Sequence, residues 1–523
     1  MRVDQLAAVR FWTQGGATTG PVLSSPHTRL GVAGGQKFGS GTAWLLLSFV
    51  MGCAFFLGLV AVFLPWFIVV PAMVVPLFVA AAWLRPEYAM AIMVTVVCGF
   101  LPDFLLPRLP LFGGTLRSQD IFLLFVALIC LFKHGGAIQR WWPGLKPFVL
   151  PLVVLLAVVA FNVAYSKFSR GNPSQAIVEE LRPFIFLTLP LWLVMLVQKQ
   201  ATLNRFFWAL VVGAALLAIA QILQAVFQLP LVHGGRYEEA TIGRETITDV
   251  IRSTVPGIYL IIFALLAVVA RYLAGLQGLL SVSVLAAAFT GALLFTFGRA
   301  LWGATLIGLL LVALHFRGLR AFRLAVVGVV VAVLALGTIA VLKPRTAETM
   351  LDRALSVTEE GSSSTSLGWR IDESRMAWAR IRQQPFLGIG LGGAYKAVTF
   401  QRGWEGEERV THNSHVFIQL KMGAIGTIAL AWLLWVYWYQ AGLLLRRLAR
   451  DDGNRPTVVA CRVLLPLVLI TATIRPEWNE AATVTILSLA IGLIAVLRNL
   501  TPVQAAAKGD GAQKWSLAAH SRH

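Results

Sequence analysis

Charge is what this chain has least of. Only 13% of its 523 residues are Asp, Glu, Lys or Arg, where a soluble domain carries about 25%. With 58% of residues hydrophobic, a water-surrounded globule is excluded. Acids are scarcer than bases, 24 against 44. The four cysteines (Cys53, Cys98, Cys130 and Cys461) lie in or beside apolar blocks and pair by no spacing. They read as small core residues, which argues against a disulfide framework or a metal knuckle. No HExxH pattern is present, and the SSSTS hydroxyls belong to no ordered triad, so neither a zinc protease nor a serine hydrolase is indicated. Internal repeats and low-complexity tracts are missing as well. The first 42 residues are polar and mixed, so no cleavable signal peptide is expected.

What is there is a series of apolar blocks of roughly 17–25 residues, long enough to cross a ~30 Å hydrocarbon core as helices. They are continuously apolar, not alternating, which excludes a membrane barrel. The blocks predict an all-α, polytopic integral membrane protein with about fourteen crossings. They fall near 43–63, 66–84, 88–106, 119–133, 147–165, 183–198, 204–228, 254–272, 278–297, 300–316, 322–342, 413–444, 457–474 and 481–497. The stretch 278–316 is too long for one crossing and is split at Gly298-Arg299. The organisation is then a mobile cytoplasmic tail (1–42), helices 1–11 (43–342), a long periplasmic loop (343–412), helices 12–14 (413–497) and a cytoplasmic tail (498–523).

The net charge of +20 is a topology signal and not a sign of nucleic-acid binding. With the N-terminus inside, the inner segments collect most of the basic excess and few acids: Asp4, Glu87, Asp451, Asp452 and Asp510. Clusters such as Arg317, Arg320, Arg323 and Arg446, Arg447, Arg450 then face anionic head groups. Polar complexity gathers on the outer face, chiefly in the loop 343–412 and in shorter loops at 166–182 and 229–253. Within the long loop, TEEGSSSTSLG (358–368) reads as flexible. RIDESRMAWARIRQQ (370–384) reads as an amphipathic helix with Ile371, Ser374, Trp378 and Ile381 on one face, stopped by Pro385. Such a helix suits the membrane surface.

The outer side holds the candidate chemistry. Arg182, Arg252, Arg299 and Arg370 stand at helix or loop borders. A guanidinium presents a permanent planar fork to phosphate oxygens, although any one of them also reads as an interfacial snorkeller or a partner of a nearby acid such as Glu180. Arg299, in a tight turn between apolar helices, favours a functional role. In THNSHVFIQLKMGAIG (411–426), His412 and His415 are three apart and would share a helix face. Imidazole takes a proton from a hydroxyl at neutral pH. The alternative is two interfacial histidines, one capping the helix with Asn413. Two ligands are too few for a metal site. The run GIGLGGAY (388–395) lacks the strand a phosphate loop needs and reads as a turn.

FTFGRALWGATLIGLLLVAL (295–314), the segment from Arg370 to Tyr395 and HNSHVFIQLKMGAIG (412–426) occur in this order around a long outer loop. The arrangement resembles the O-antigen ligase and polymerase superfamily of bacterial envelope glycosyltransferases. Arg299, Arg370 fifteen residues before Pro385, and His412-Asn413 stand where that family's pattern has its turn arginine, loop arginine and histidine. Two positions depart: Gly298 stands where Ser is usual, and Lys421-Met422-Gly423 where an acid is usual. The resemblance implies a GT-C-type, inverting, metal-independent glycosyltransferase of the bacterial inner membrane with its active site in the periplasm and no cofactor. Its donor would be a glycan on undecaprenyl diphosphate. His412 is then the base, Arg299 and Arg370 stabilise the leaving diphosphate, and Arg252, Arg182, Asn413 and His415 touch substrate. The partners implied are the lipid-linked oligosaccharide, the bilayer, and a chain-length regulator and a flippase of the same pathway. A polysaccharide polymerase of the O-antigen or exopolysaccharide kind is expected, with a ligase to lipid A core as the alternative. From another class, a lipid-linked glycan transporter would place its polar sites near the midplane and show repeats.

Overall fold

The computed structural model describes residues 79, 82–100, 108–111, 114–229, 231–242, 245–316, 318–355, 366–399 and 405–501. The expected tail 1–42, almost all of the first two crossings, the stretch 358–365 and most of the C-terminal tail lie outside the described residues. The chain divides into two compact units at Phe56, and every described residue belongs to the second, Leu57–His523.

Fifteen α-helices can be followed among the described residues. They are α1 (Pro86–Val97), α2 (Ser118–His134), α3 (Ile138–Ala164), α4 (Ser174–Ile185), α5 (Leu189–Leu196), α6 (Gln200–Phe227), α7 (Ile258–Leu273) and α8 (Leu279–Leu294). Then come α9 (Arg299–His315), α10 (Leu319–Leu342), α11 (Pro344–Leu355), α12 (Ser366–Gln383), α13 (Ser414–Arg447), α14 (Arg455–Thr471) and α15 (Ala481–Leu500). Among the described residues, four helical stretches are long and apolar enough to cross a membrane: Ser118–Ser169, Gln200–Phe227, Ser414–Arg447 and Ala481–Leu500. Helices α1, α7, α8 and α9 are apolar but shorter. The protein is a multi-pass membrane protein.

Local chemistry sets several boundaries. Pro86 and Pro456 open their helices where a missing N–H costs nothing. Asp120 accepts the Arg117 amide at 3.0 Å and so closes the start of α2. The split at Gly298-Arg299 is real, with α9 beginning at Arg299. The expected crossing at 183–198 is instead two pieces, α4 and α5, joined by a short turn at Phe186–Thr188. Pro183 and Pro190 explain the interruption, since each removes a helical donor.

The connecting segments are not wholly helical. Among the described residues, three antiparallel hairpins, β1–β2 (Arg108–Leu111 with Gly114–Arg117), β3–β4 (Arg236–Ile242 with Glu245–Thr254) and β5–β6 (Lys396–Thr399 with Glu405–Glu408), add short strands to the mostly helical fold, where the expectation was all-α. The long loop also carries α11, which composition did not reveal.

Helices α7 and α15 are apolar on all sides and buried almost throughout, as a bundle centre requires. Around them the rule of soluble proteins is inverted. Leu280, Val284, Leu306, Leu310, Val329 and Val333 all stand exposed on α8–α10, a surface suited to lipid.

Helix α13 decides the position of everything that follows. It is broken at Gly423, whose φ of 63° and ψ of −164° lie outside any helix. The segment after α12 enters the break. Ile389 and Gly390 donate to the carbonyls of Leu420 and Lys421 at 2.8 and 3.1 Å, and Ala424 donates to Pro385 at 2.8 Å. The freed helical groups are thus paired by another part of the chain. A Cβ on Gly423 would lie 2.2 Å from the Phe386 carbonyl oxygen. Gly423→Ala is expected to cost about 3 kcal/mol or more, read as a fall in thermal midpoint in detergent. Gly303→Ala, where a Cβ meets nothing within 4 Å, is expected to leave the midpoint unchanged.

Candidate active site

The stretch 411–416 is the start of α13. Asn413 is the N-cap, its Oδ1 accepting from the amides of His415 and Val416 at 3.1 and 3.2 Å. His412 therefore precedes the helix and does not share a face with His415. The two rings go to different partners. His415 Nε2 lies 3.1 Å from the Leu469 carbonyl on α14. His412 Nδ1 lies 3.3 Å from the Glu373 carboxylate.

Glu373 is the residue that sequence reasoning missed. It sits on α12, three residues after Arg370, and is 4% exposed. Its carboxylate takes the His412 amide at 3.0 Å, His412 Nδ1, and the Tyr395 hydroxyl at 3.2 Å. A carboxylate only accepts, so Nδ1 donates to it. The His412 side chain stays 24% exposed above the buried acid. Burial, and next the charge of Glu373, push the Tyr395 hydroxyl well above the usual phenol range, so it remains a donor.

The orientation of α12 corrects the expected face. Glu373, Ala377 and Ile381 point inward, four residues apart, while Ile371 and Trp378 are nearly half exposed. The signal was an acid at helical spacing within an apolar stripe.

The glycine run fixes α12 in place. Gly388, Gly390 and Gly392 have φ between 70° and 86°, a region open to glycine at no steric cost. Its amides are already used. Leu391 N–H donates to Asn162 Oδ1 at 3.0 Å and Gly392 N–H to Glu180 Oε2 at 2.7 Å, beyond the bonds of Ile389 and Gly390 into α13. This is a turn buttressed by protein acceptors, not a phosphate cradle.

Lys421, in the place where the family pattern has an acid, is fully buried. Its Nζ lies 2.6 Å from Glu180 Oε1 and 2.6 Å from the Gly393 carbonyl. One ion pair thus joins α4, the glycine run and α13. The base of α13 is fastened again by Ser414, whose hydroxyl donates to the Arg475 carbonyl at 2.5 Å and whose amide donates to Ala472 at 2.8 Å.

The arginines divide into groups. Arg370 shares α12 with Glu373, one turn away. Arg252, on β4, donates from Nε to the Thr296 carbonyl at 2.9 Å, with Glu238 at 3.7 Å from its Nη1. Thr296 belongs to the turn that opens into Arg299, and Phe297 in that turn is left-handed at φ 49°. Arg252 and Arg299 therefore flank one strained turn. Arg182 is 4% exposed, and its fork is taken by Asp120 at 3.1 Å and the Thr115 carbonyl at 2.6 Å. It walls a polar cleft of about 240 Å³ with Arg117, Glu179, Arg409 and Asn479. Among the described residues no group of three His, Cys, Asp or Glu side chains is close enough to hold a metal ion.

Residues 282–431 match the family model for O-antigen ligase. The match spans Arg299, Arg370, Glu373, His412 and Lys421, and it supports placement in the O-antigen ligase and polymerase superfamily. No curated protein matches the chain. The matched segment thus contains the break at Gly423, the loop that fills it and the Glu373–His412 pair, while Glu180, Arg182 and Arg252 lie outside it.

Two predictions concern this framework. Lys421→Met leaves Glu180 as a buried unpaired carboxylate and is expected to cost about 3–5 kcal/mol in a denaturation series. Adding Glu180→Gln, which keeps an acceptor for Gly392, is expected to restore most of it. Glu408 supplies the second. Burial, then the charge of Glu373, push its carboxyl upward, with His412 and Lys396 pulling it back. A carboxyl raised in the fold binds its proton more tightly folded than unfolded, so stability is lost as pH rises through the folded value. Glu408→Gln is therefore expected to raise the thermal midpoint at pH 8 and leave it little changed at pH 4.

Proposed function

We propose that the protein is a membrane glycosyltransferase of the O-antigen ligase or polymerase type, acting on a glycan carried by a polyprenyl diphosphate at the periplasmic border. The observation that carries this reading is the Glu373–His412 contact. It fixes the imidazole through Nδ1 beside the arginine-bearing helix α12. His412 Nε2 takes the proton of the acceptor hydroxyl, and the oxygen attacks the anomeric carbon. The bond from that carbon to the diphosphate breaks, and the electron pair leaves with the diphosphate. A single displacement inverts the anomeric centre. Arg299 and Arg370 meet the charge that grows on the leaving group, an effect of the preorganised, oxyanion-hole kind. Glu373 positions the imidazole and does not touch substrate.

The acceptor we favour is a second lipid-linked repeat unit, which makes the protein a polymerase. The long segment between α10 and α13 and the large number of apolar blocks support that choice. The family model's own description favours the second reading, a ligase that transfers the glycan to lipid A core.

The test uses purified protein, a lipid-linked oligosaccharide and a gel. Longer glycans without added core mean a polymerase, and product only with lipid A core means a ligase. Movement of lipid between leaflets without bond formation means a transporter and contradicts the proposal. His412→Ala and Arg299→Ala are each expected to lower kcat by at least about 10²-fold in protein that still inserts, and His415→Ala far less. Glu373→Gln is expected to lower kcat by about 10²-fold with little change in KM, and to shift the pH dependence of the rate. A Glu373→Gln enzyme with the wild-type pH profile would remove Glu373 from the mechanism.

A further inference from the structure

The end of α13 farthest from His412 carries arginines that no acid meets. Arg446 and Arg447 close α13, Arg462 stands about two turns into α14, and Arg498 lies in the last turn of α15. Among the described residues none of the four forms an ion pair. The Arg462 guanidinium lies 4.6 Å from the centre of the Trp438 ring, beside Gly442. Arg498 donates from Nη1 to Gln440 Oε1. The Nε of Arg462 and the Nε of Arg498 are buried, and neither has an acceptor.

Helical spacing on α13 gathers the cluster. Arg446 follows Gly442 by four residues, and Arg447 follows Gln440 by seven, so each stands over the residue that an arginine of the next helix touches. Arg446 is close enough to repel Arg462, and Arg447 to repel Arg498. The acids nearest in sequence give no relief. Asp452 accepts the Asn454 amide at 2.7 Å, and Asp451 is exposed in the turn between α13 and α14. Snorkelling accounts for Arg446 and Arg447, which are exposed. It does not account for two N–H groups shut away from solvent with nothing to donate to. Like charges held together at one helix end call for an anion.

The face of α13 that leads to the cluster identifies the source of that anion. Ile428, Trp435, Tyr439 and Arg446 succeed one another at seven, four and seven residues, along one side of the helix. Ile428, Trp435 and Tyr439 all stand exposed. Aromatic side chains next to a row of cations mark a membrane border. A lipid meets both parts of this face, whereas a soluble phosphate meets only the guanidinium groups.

We infer that Arg446, Arg447, Arg462 and Arg498 hold the phosphate of an anionic phospholipid, whose acyl chains lie along the exposed face of α13. Guanidinium forks suit phosphate oxygens. The inference stands without the glycosyltransferase reading. The lipid fastens together three helices whose opposite ends meet around Ser414, where the Ala472 and Arg475 carbonyls accept from its amide and hydroxyl.

The test gives full-length protein in detergent either phosphatidylglycerol or phosphatidylethanolamine and reads lipid retention by native mass spectrometry. Phosphatidylglycerol is expected to be retained about tenfold better, because the ammonium of phosphatidylethanolamine meets like charges. Arg462→Gln combined with Arg498→Gln is expected to lower its retention about tenfold. Arg446→Gln combined with Arg447→Gln, at exposed positions that folding does not need, is expected to do the same. Arg140→Gln, at an exposed arginine of α3, is expected to leave retention unchanged. Inorganic phosphate is expected not to displace the lipid. Equal retention of the two lipids, wild-type retention in the Arg446 and Arg447 double variant, an equal loss with Arg140→Gln, or displacement by inorganic phosphate would overturn the inference.

Discussion

One buried carboxylate organises the candidate site of this molecule. Glu373 gathers the His412 amide, the His412 ring and the Tyr395 hydroxyl from two separate stretches of chain. An acid taken out of water is costly unless its oxygens are paired, and here three donors do the pairing. The return is geometric. Both Nδ1 and the backbone amide of His412 are held by the same acid, which orients the ring. The remaining parts of the fold serve to deliver α12 to that spot.

They do so by exchanging regular structure for a specific junction. Helix α13 gives up its continuity at Gly423, and the glycine run supplies the missing partners. Asn162 and Glu180 then take amides of the run that would otherwise be buried unpaired. Lys421 closes the arrangement by meeting Glu180 and the Gly393 carbonyl at once. A buried ion pair adds little net stability, but this one permits a single register between α4, the run and α13. The carboxylate that faces the histidine comes from α12.

Much of the apolar frame was legible in the sequence because its signal is local. Four helical stretches of membrane-spanning length among the described residues, the break at Gly298-Arg299, the stop at Pro385 and the helix after Asn413 each follow from hydropathy or capping. The hairpins did not show, since short polar strands such as β5 and β6 alternate too briefly to announce themselves. The site was half legible. His412, Arg299 and Arg370 stood out by residue type and spacing, and the structure pairs the first with an acid one turn from the third. Glu373 escaped because α12 offers two overlapping stripes. The expected face held Ile371, Ser374, Trp378 and Ile381, and of its apolar members tertiary packing buries only Ile381, together with Glu373 and Ala377. The Lys421–Glu180 pair, far apart in sequence, had no local signal at all.

The central claim is that Glu373 and His412 act as one unit in sugar transfer. A double-mutant cycle on the transfer rate tests it most directly, with Glu373→Gln, His412→Gln and the double variant measured under saturating lipid-linked donor. If the acid works through the imidazole, the double variant is no slower than His412→Gln alone. Losses that multiply in the double variant would mean that the two side chains act independently, and the account of this site would fail.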